Sequence, residues 1–137
     1  MADDIILNKA ASIERCLHRI QEEYAGDEQN LTANQTKQDA IVLNLQRACE
    51  TAIDLAMHIV SQRKLGVPQD SRDAFTLLQT AGILPNDLAQ RMQRMVGFRN
   101  VSVHEYTRLN LDVLHAIITK QLGDFRTFSS IIVKACA

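Results

Sequence analysis

Apolar residues recur at steps of three and four along most of the chain, the spacing that places them on one face of an α-helix. The first such stripe spans Asp3–Tyr24, and the second begins near residues 35–39 and ends near Lys64. The polar segment between them, residues 26–39, contains Gly, Asn and Thr and is predicted to be a loop. Two long helices joined by such a loop favour an antiparallel hairpin.

Three further helices are predicted in the second half of the chain. A short one covers Arg72–Thr80, with Ser71 as its N-cap, because a serine side chain can accept a hydrogen bond from a free backbone N–H group. Pro85 can open a fourth helix, where its missing N–H is not needed. Asn110 is the predicted N-cap of the last helix, and Gly123 is expected to loosen the middle of that helix.

The whole pattern predicts an all-α fold. No strand-like alternation competes with the helical stripes, and five glycines with two prolines leave few positions for tight turns. We therefore expect an antiparallel helical bundle of four long helices plus a short helix, with residues 1–137 forming a single domain. The stripes on the first two helices are narrow, which leaves room for a second apolar face and a dimer.

The composition indicates where in the cell the protein acts and in what state its cysteines are. The first residues are acidic and no window approaches the roughly 18 apolar residues of a membrane span, so we expect a cytoplasmic protein without membrane association. The three cysteines form no CxxC pair and no metal-ligand spacing. Cys16 and Cys49 lie within or beside apolar stripes and are predicted to be buried free thiols.

Several kinds of site are not supported by the sequence. There is no GxxxxGK phosphate loop, and no strand to carry one, so ATP hydrolysis by this chain is not predicted. Three carboxylate–histidine pairs have helical spacing but no Glu-x-x-His motif, so surface ion pairs explain them better than a metal site. We expect no metal and no cofactor. The pairs are Glu14 with His18, Asp54 with His58 and Asp112 with His115.

Local charge differs from the charge of the whole chain. The net charge of −1 argues against a broad basic surface for nucleic acid. Residues 88–108 nevertheless hold Arg91, Arg94, Arg99 and Arg108 against Glu105. A local basic patch of this kind can bind phosphate even on a nearly neutral protein.

The segment RNVSVHEY, residues 99–106, combines four polar groups with chemical potential on an otherwise aliphatic stripe. His104 comes five positions after Arg99, which corresponds to about 140° around a straight helix, so their side chains diverge. Asn100 and His104 are four apart and are neighbours on one face. A two-fold dimer with this face at its interface would gather two arginines and two histidines in one cleft.

Such a cleft suits metal-independent cleavage of RNA. Histidine can take the proton of the attacking 2′-hydroxyl or give one to the leaving 5′-oxygen, because it titrates near neutrality. Arg99 can hold the phosphate with two parallel hydrogen bonds while negative charge builds. Asn100 can orient the imidazole of His104 or a phosphate oxygen. Tyr106 offers a hydroxyl that can bond, stack on a base or accept a modification. From the residues alone, the alternative that these groups lie on the surface of a helical bundle by chance remains open.

The order Arg, four residues, His, one residue, Tyr, late in a small helical chain, resembles the HEPN superfamily. It is most similar to the HepT toxins of the HepT/MntA toxin–antitoxin systems. The flanking segments LNLQRACETAIDLAMHIV (43–60), SRDAFTLL (71–78) and MVGFRN (95–100) also look like that family, so the resemblance covers essentially the whole chain.

This resemblance implies a toxin that cleaves RNA as a homodimer, with Arg99 and His104 as catalytic residues and Asn100 in support. It also implies a partner, a minimal nucleotidyltransferase antitoxin that can inactivate the toxin by transferring AMP to the motif tyrosine, Tyr106. Added phosphate there would place negative charge and bulk where RNA has to bind. Two alternatives are kept: a non-catalytic helical module that pairs with a nucleotidyltransferase and binds nucleotide or phosphate, and a purely structural helical adaptor.

Overall fold

The computed structural model describes residues 3–136, and in that range it contains helices and no strand. The predicted all-α class is therefore confirmed, whereas the single domain over residues 1–137 stays a prediction. The α-helices are α1 (Asp4–Tyr24), α2 (Gln29–Thr32), α3 (Gln35–Gln62), α4 (Ser71–Thr80), α5 (Asn86–His104), α6 (Leu111–Ala116) and α7 (Leu122–Cys136). A 3₁₀ turn at Tyr106–Arg108 follows α5, and a π-helical turn at Ile117–Gln121 joins α6 to α7.

Helices α1 and α3 form the predicted antiparallel hairpin. Asp3, the N-cap of α1, lies beside the end of α3, where its carboxylate accepts a hydrogen bond of 2.8 Å from the Gln62 amide. The same carboxylate is 2.9 Å from Nε2 of His58, and this contact, more than any other, lowers the pKa of Asp3 to about 2. The start of one helix therefore packs against the end of the other.

The polar segment after α1 is not wholly a loop, and this part of the prediction is wrong. Residues 29–32 form the single-turn helix α2, and the Asp27 carboxylate just before it accepts a 2.9 Å bond from the Gln29 N–H. Leu31 is completely buried in the shared core. One leucine in a polar run gives no period, so the pattern could not indicate this turn.

Two helix ends agree with the predicted caps and one does not. Asn110 caps α6 by accepting bonds from the N–H groups of Asp112 and Val113, and Pro85 directly precedes α5. The cap of α4 is Asp70 rather than Ser71, since the Asp70 carboxylate accepts a 2.8 Å bond from the N–H of Asp73. This shift frees the Ser71 hydroxyl for a contact with α5.

The irregular part of the last long helix lies just before the predicted position. The π-helical turn ends at Gln121, two residues before Gly123, and Gly123 itself lies in regular α-helix. Beyond the turn, Phe125 and Phe128 face the core and are fully buried. The Phe128 ring meets Phe75 of α4 edge to face with 5.6 Å between centroids, so this helix and α4 share one core.

Cys16 and Cys49 are buried free thiols, as predicted, and Cys136 is a half-buried free thiol. Complete burial raises the pKa of Cys49 to about 12, which keeps this thiol protonated and unreactive. No helix in residues 3–136 combines the length and the apolar character that crossing a membrane requires.

Candidate active site

Helix α5 carries Arg99, Asn100 and His104, and it ends at His104. The N–H of Glu105 closes the last turn by donating to the Val101 carbonyl at 2.8 Å, and the 3₁₀ turn begins one residue later with Tyr106. The whole segment from Arg99 to His104 is regular α-helix, so the two side chains leave it in different directions. The predicted divergence of these two residues therefore holds within one chain.

Arg99 is half-buried and faces the start of α4. Its Nη2 lies 3.4 Å from the hydroxyl of Ser71, a long hydrogen bond, while its Nε is buried and has no partner within residues 3–136. The guanidinium borders a cleft of about 210 Å³ between α4 and α5. The cleft is lined by Asp70, Ser71, Arg72, Val96, Arg99 and Asn100. The guanidinium therefore borders this cleft with only one long hydrogen bond made, an arrangement that suits an anion.

Arg99 is also close to the core. Burial raises the pKa of the Cys49 thiol, and the positive charge of Arg99 acts in the opposite direction on it. The guanidinium of Arg99, which interrupts the apolar stripe of α5, thus lies between the buried Cys49 thiol of α3 and the cleft beside α4. Packing holds the guanidinium in place, and a fixed guanidinium loses little freedom when it binds phosphate.

His104 and Asn100 lie on the exposed side of α5 and are four residues apart, as predicted for neighbours on one face. Neither side chain makes a hydrogen bond or an ion pair within the described part of the chain. The imidazole nitrogens of His104 are therefore open to contact with a ligand.

Tyr106 is tied to α3. Its hydroxyl donates a 2.5 Å hydrogen bond to the Asp39 carboxylate and lies 3.5 Å from the side-chain oxygen of Gln38. Asp39 also accepts a 2.8 Å bond from the Gln35 amide. Burial, followed by the bond to Asp39, raises the pKa of Tyr106 to about 12, and the bond from Tyr106 is the main cause that lowers the pKa of Asp39.

The pair Asp39–Tyr106 gives a test by titration. The Asp39→Asn variant is expected to lower the pKa of Tyr106 from about 12 toward the ordinary value of about 10, because a neutral amide no longer repels the phenolate. The stabilisation of the folded turn by this hydrogen bond is fully present at pH values below about 10 and is lost as the pH rises through about 12, where Tyr106 is deprotonated. The stabilisation is also lost in acid, where the Asp39 carboxylate is protonated. Absorbance of tyrosinate measures the shift.

The Tyr106→Phe variant is the reference for that titration, since only Tyr24 then titrates among the two tyrosines. Equal titration curves for the wild type and Asp39→Asn would contradict the hydrogen bond seen in the structure.

The predicted basic patch is smaller than its sequence indicates. Arg91 is paired with Asp124 at 3.0 Å and with Asp87 at 3.5 Å. Arg108 lies 3.9 Å from Glu105. Arg94 and Arg99 have no carboxylate within 4 Å among residues 3–136, so they carry the available positive charge of this stretch.

The carboxylate–histidine pairs of the sequence have other partners in space. His18 lies 3.5 Å from Glu22, His58 contacts Asp3, and the His115 ring meets Tyr24 edge-on at 6.3 Å. The carboxylates pair with basic residues where a contact exists, for example Glu14 with Arg126 at 3.0 Å. No group of three or more potential metal ligands lies together in residues 3–136.

Residues 13–132 match the sequence profile of a family described as ribonuclease HepT-like. The chain is 46% identical over 130 residues to the mRNA nuclease HepT of Shewanella oneidensis, a match that covers 95% of this chain and 97% of that protein. These matches confirm the resemblance seen in the sequence.

Solved structures agree with the sequence matches. A toxin–antitoxin complex with AMP-PNP superposes with a TM-score of 0.91 at 45% identity, covering 95% of this chain and 98% of the other. A tri-AMPylated HEPN toxin of Shewanella oneidensis in complex with an MNT antitoxin superposes with a TM-score of 0.90 at 46% identity, covering 95% and 97%. The chain therefore belongs to the HepT-like ribonuclease family.

Proposed function

We propose that this protein is the toxin of a toxin–antitoxin system, an endoribonuclease that cuts mRNA in the cytoplasm without a metal ion. Membership of a ribonuclease family supports the reaction class, and the mRNA nuclease at 46% identity supports the substrate. The observation that carries the assignment of the site is the pairing, on one helix end, of an arginine with unused donors and an exposed, unpaired histidine.

Each proposed site residue has a defined task. Arg99 binds the scissile phosphate and stabilises the charge that develops on its oxygens. His104 moves a proton, either from the attacking 2′-hydroxyl or to the leaving 5′-oxygen. Asn100, next to Arg99 and one turn before His104, orients the imidazole or a phosphate oxygen. The products of such an attack are a 2′,3′-cyclic phosphate and a free 5′-hydroxyl.

The active form is a homodimer that pairs the motif faces of two copies. Within one chain Arg99 points toward α4 while His104 lies on the exposed side, so a second copy is needed to complete one site. Exposed apolar side chains beside the motif support such an interface: Val103 is 45% and Val113 is 48% exposed. Val113 also lines an apolar groove of about 450 Å³ between α5 and α6.

The proposed partner is a minimal nucleotidyltransferase antitoxin of the MNT kind, which neutralises the toxin by AMPylation of Tyr106. The structurally similar HEPN toxin is tri-AMPylated and bound to an MNT antitoxin. Tyr106 is 37% exposed and held by hydrogen bonds to side chains alone, whereas Tyr24 is half-buried against His115. The hydroxyl of Tyr106 is thus the phenol that a transferase can reach.

The two other readings of the sequence are weaker. One is a non-catalytic module that binds nucleotide beside a nucleotidyltransferase, and the other is a structural adaptor. Both would make this chain a member of a ribonuclease family that lacks ribonuclease activity. A structural adaptor does not explain why Arg99, whose buried Nε has no partner within residues 3–136, borders a polar cleft. A phosphate-binding module would use that arginine, but it does not account for membership of a ribonuclease family.

The reaction class is tested with a defined RNA in the absence of metal. Cleavage by the purified toxin is expected to continue unchanged in an excess of EDTA, because histidine and arginine carry the chemistry. A single 2′-deoxy substitution at the cleaved position is expected to stop cleavage there, because the nucleophile is removed. Gel electrophoresis of labelled RNA measures both results.

The same RNA with a 2′-deoxy substitution one nucleotide away serves as the control and is expected to be cut normally. Loss of cleavage in EDTA that returns on adding Mg²⁺ would overturn the metal-independent mechanism.

A further inference from the structure

The side chain of Arg72 reaches from α4 to α5, where it lies against a glycine. It is the second residue of α4, and the side chain of Gln93 on α5 fixes its backbone by donating a 3.0 Å bond to its carbonyl. A Cβ atom added to Gly97 would lie 2.9 Å from Nη2 of Arg72. The absence of a side chain at Gly97 therefore lets the guanidinium lie against α5, two residues before Arg99.

The guanidinium of Arg72 has no protein partner. It makes no hydrogen bond and has no carboxylate within 4 Å in the described range, and the residue is exposed. Two other arginines that reach across helices are neutralised by acids, Arg126 by Glu14 and Arg91 by Asp124. Arg72 is thus positioned by its neighbours but not neutralised by them.

Arg72 and Arg99 line the same cleft, together with the Ser71 hydroxyl and Asn100. One carboxylate, that of Asp70, also lines it, but its Oδ1 is occupied by the N–H of Asp73 as the cap of α4. The nearby Asp73 carboxylate accepts from the Gln69 N–H. Two guanidinium groups with free donors therefore face a polar cleft beside the motif, which matches the chemistry of adjacent phosphates.

We propose that Arg72 is a substrate-binding residue that holds an RNA phosphate next to the one bound by Arg99. The RNA backbone then runs across the start of α4 before it reaches His104. This inference rests on the proposed ribonuclease function and adds a second phosphate contact to it. Arg72 takes no part in proton transfer, so its contribution is to binding.

Binding is measured with a short single-stranded RNA and a His104→Ala protein, which is expected to cut the probe too slowly to disturb the measurement. Adding Arg72→Ala is expected to raise Kd about tenfold, since a charge-assisted contact is lost. The slope of log K against log salt is expected to fall by about 0.7, the share of one phosphate contact on a single strand. Arg72→Lys keeps the charge and the slope but loses the forked contact, so its Kd lies between the two.

Arg15→Ala is the matched control, because Arg15 is an exposed arginine of α1 outside the cleft. It is expected to leave Kd and slope unchanged. Gly97→Ala is a second variant, which displaces the Arg72 guanidinium without removing its charge. In the catalytically active protein it is expected to raise KM for RNA and leave kcat unchanged, while the melting temperature does not fall.

The outcomes separate this inference from the proposed function. If the wild type cuts RNA and Arg72→Ala and Gly97→Ala behave like Arg15→Ala, the phosphate contact of Arg72 is refuted and the ribonuclease stands. If Arg72→Ala lowers the melting temperature but leaves Kd and the salt slope unchanged, its role is structural and the inference fails. If the wild type does not cut RNA at all, the proposed function itself fails.

Discussion

Replacing His104 by alanine is expected to lower the rate of RNA cleavage by about 10²- to 10⁴-fold, the usual contribution of a positioned acid or base. Replacing Arg99 by alanine is expected to lower the rate by about 10²- to 10³-fold, since a fixed charged donor to the transition state is lost. Single-turnover cleavage of a labelled RNA at saturating enzyme measures both. His104 is exposed and unpaired, so its loss leaves the melting temperature unchanged.

Matched variants separate chemistry from folding. His18→Ala removes another exposed histidine, one that contacts Glu22 on α1, and is expected to cut RNA at the wild-type rate. Arg99→Lys keeps the positive charge but not the two parallel donors, so it recovers only part of the activity. Wild-type cleavage by either alanine variant at an unchanged melting temperature would refute the assignment of that residue.

Mixed dimers test whether two chains build one site. Co-expression of Arg99→Ala with His104→Ala yields dimers in which one chain supplies an intact arginine and the other an intact histidine. If each site takes these residues from different copies, the mixture regains cleavage that neither variant has alone. Inactivity of a verified mixed dimer would place both residues of a site in one chain.

The Tyr106→Phe variant is expected to remain an active ribonuclease but to escape modification completely. The ring and its packing are kept, while the oxygen that would bond to phosphorus is gone. After co-expression with the cognate nucleotidyltransferase, mass spectrometry of the intact toxin is expected to show AMP units on the wild type and none on this variant. The matched control is Tyr24→Phe, which is expected to be modified like the wild type.

The physical reason that AMP on Tyr106 would block cleavage is charge. Each AMP unit joined through a phosphodiester adds a negative charge at the end of α5, where the phosphate of RNA has to bind. Complete neutralisation of Tyr106→Phe by the antitoxin, with no mass increase, would show that binding alone inhibits. In that case, modification of this tyrosine is not the switch.

Much of this fold could be predicted because helical stripes report burial directly. The stripes of α1, α3 and α5 predict core residues such as Leu17, Leu45 and Met92, all of which are buried. The motif spacing also predicts that Arg99 and His104 diverge. These predictions depend on the geometry of one helix at a time, which the sequence encodes locally.

The partners of the motif residues could not be predicted in the same way. Ser71 is 28 residues from Arg99, and Asp39 is 67 residues from Tyr106. Both contacts depend on how α4 and α3 pack against the end of α5, and no local period records that packing. The role of Gly97 could not be predicted for the same reason. From the sequence, a glycine within a helix is only destabilising, and the structure is needed to show that the Arg72 guanidinium lies where a side chain would be.

Burial of Tyr106, together with its hydrogen bond to Asp39, also affects how readily the phenol can react. A tyrosine whose pKa is raised to about 12 carries about 100-fold less phenolate at neutral pH than one at the ordinary value of about 10. In the unmodified protein the hydroxyl oxygen of Tyr106 is therefore a poor nucleophile. Its proton is donated to Asp39 of α3, and this bond breaks only if the turn moves away from α3. Stray electrophiles would therefore meet an unreactive group, and we expect efficient modification only by a protein that separates this turn from α3.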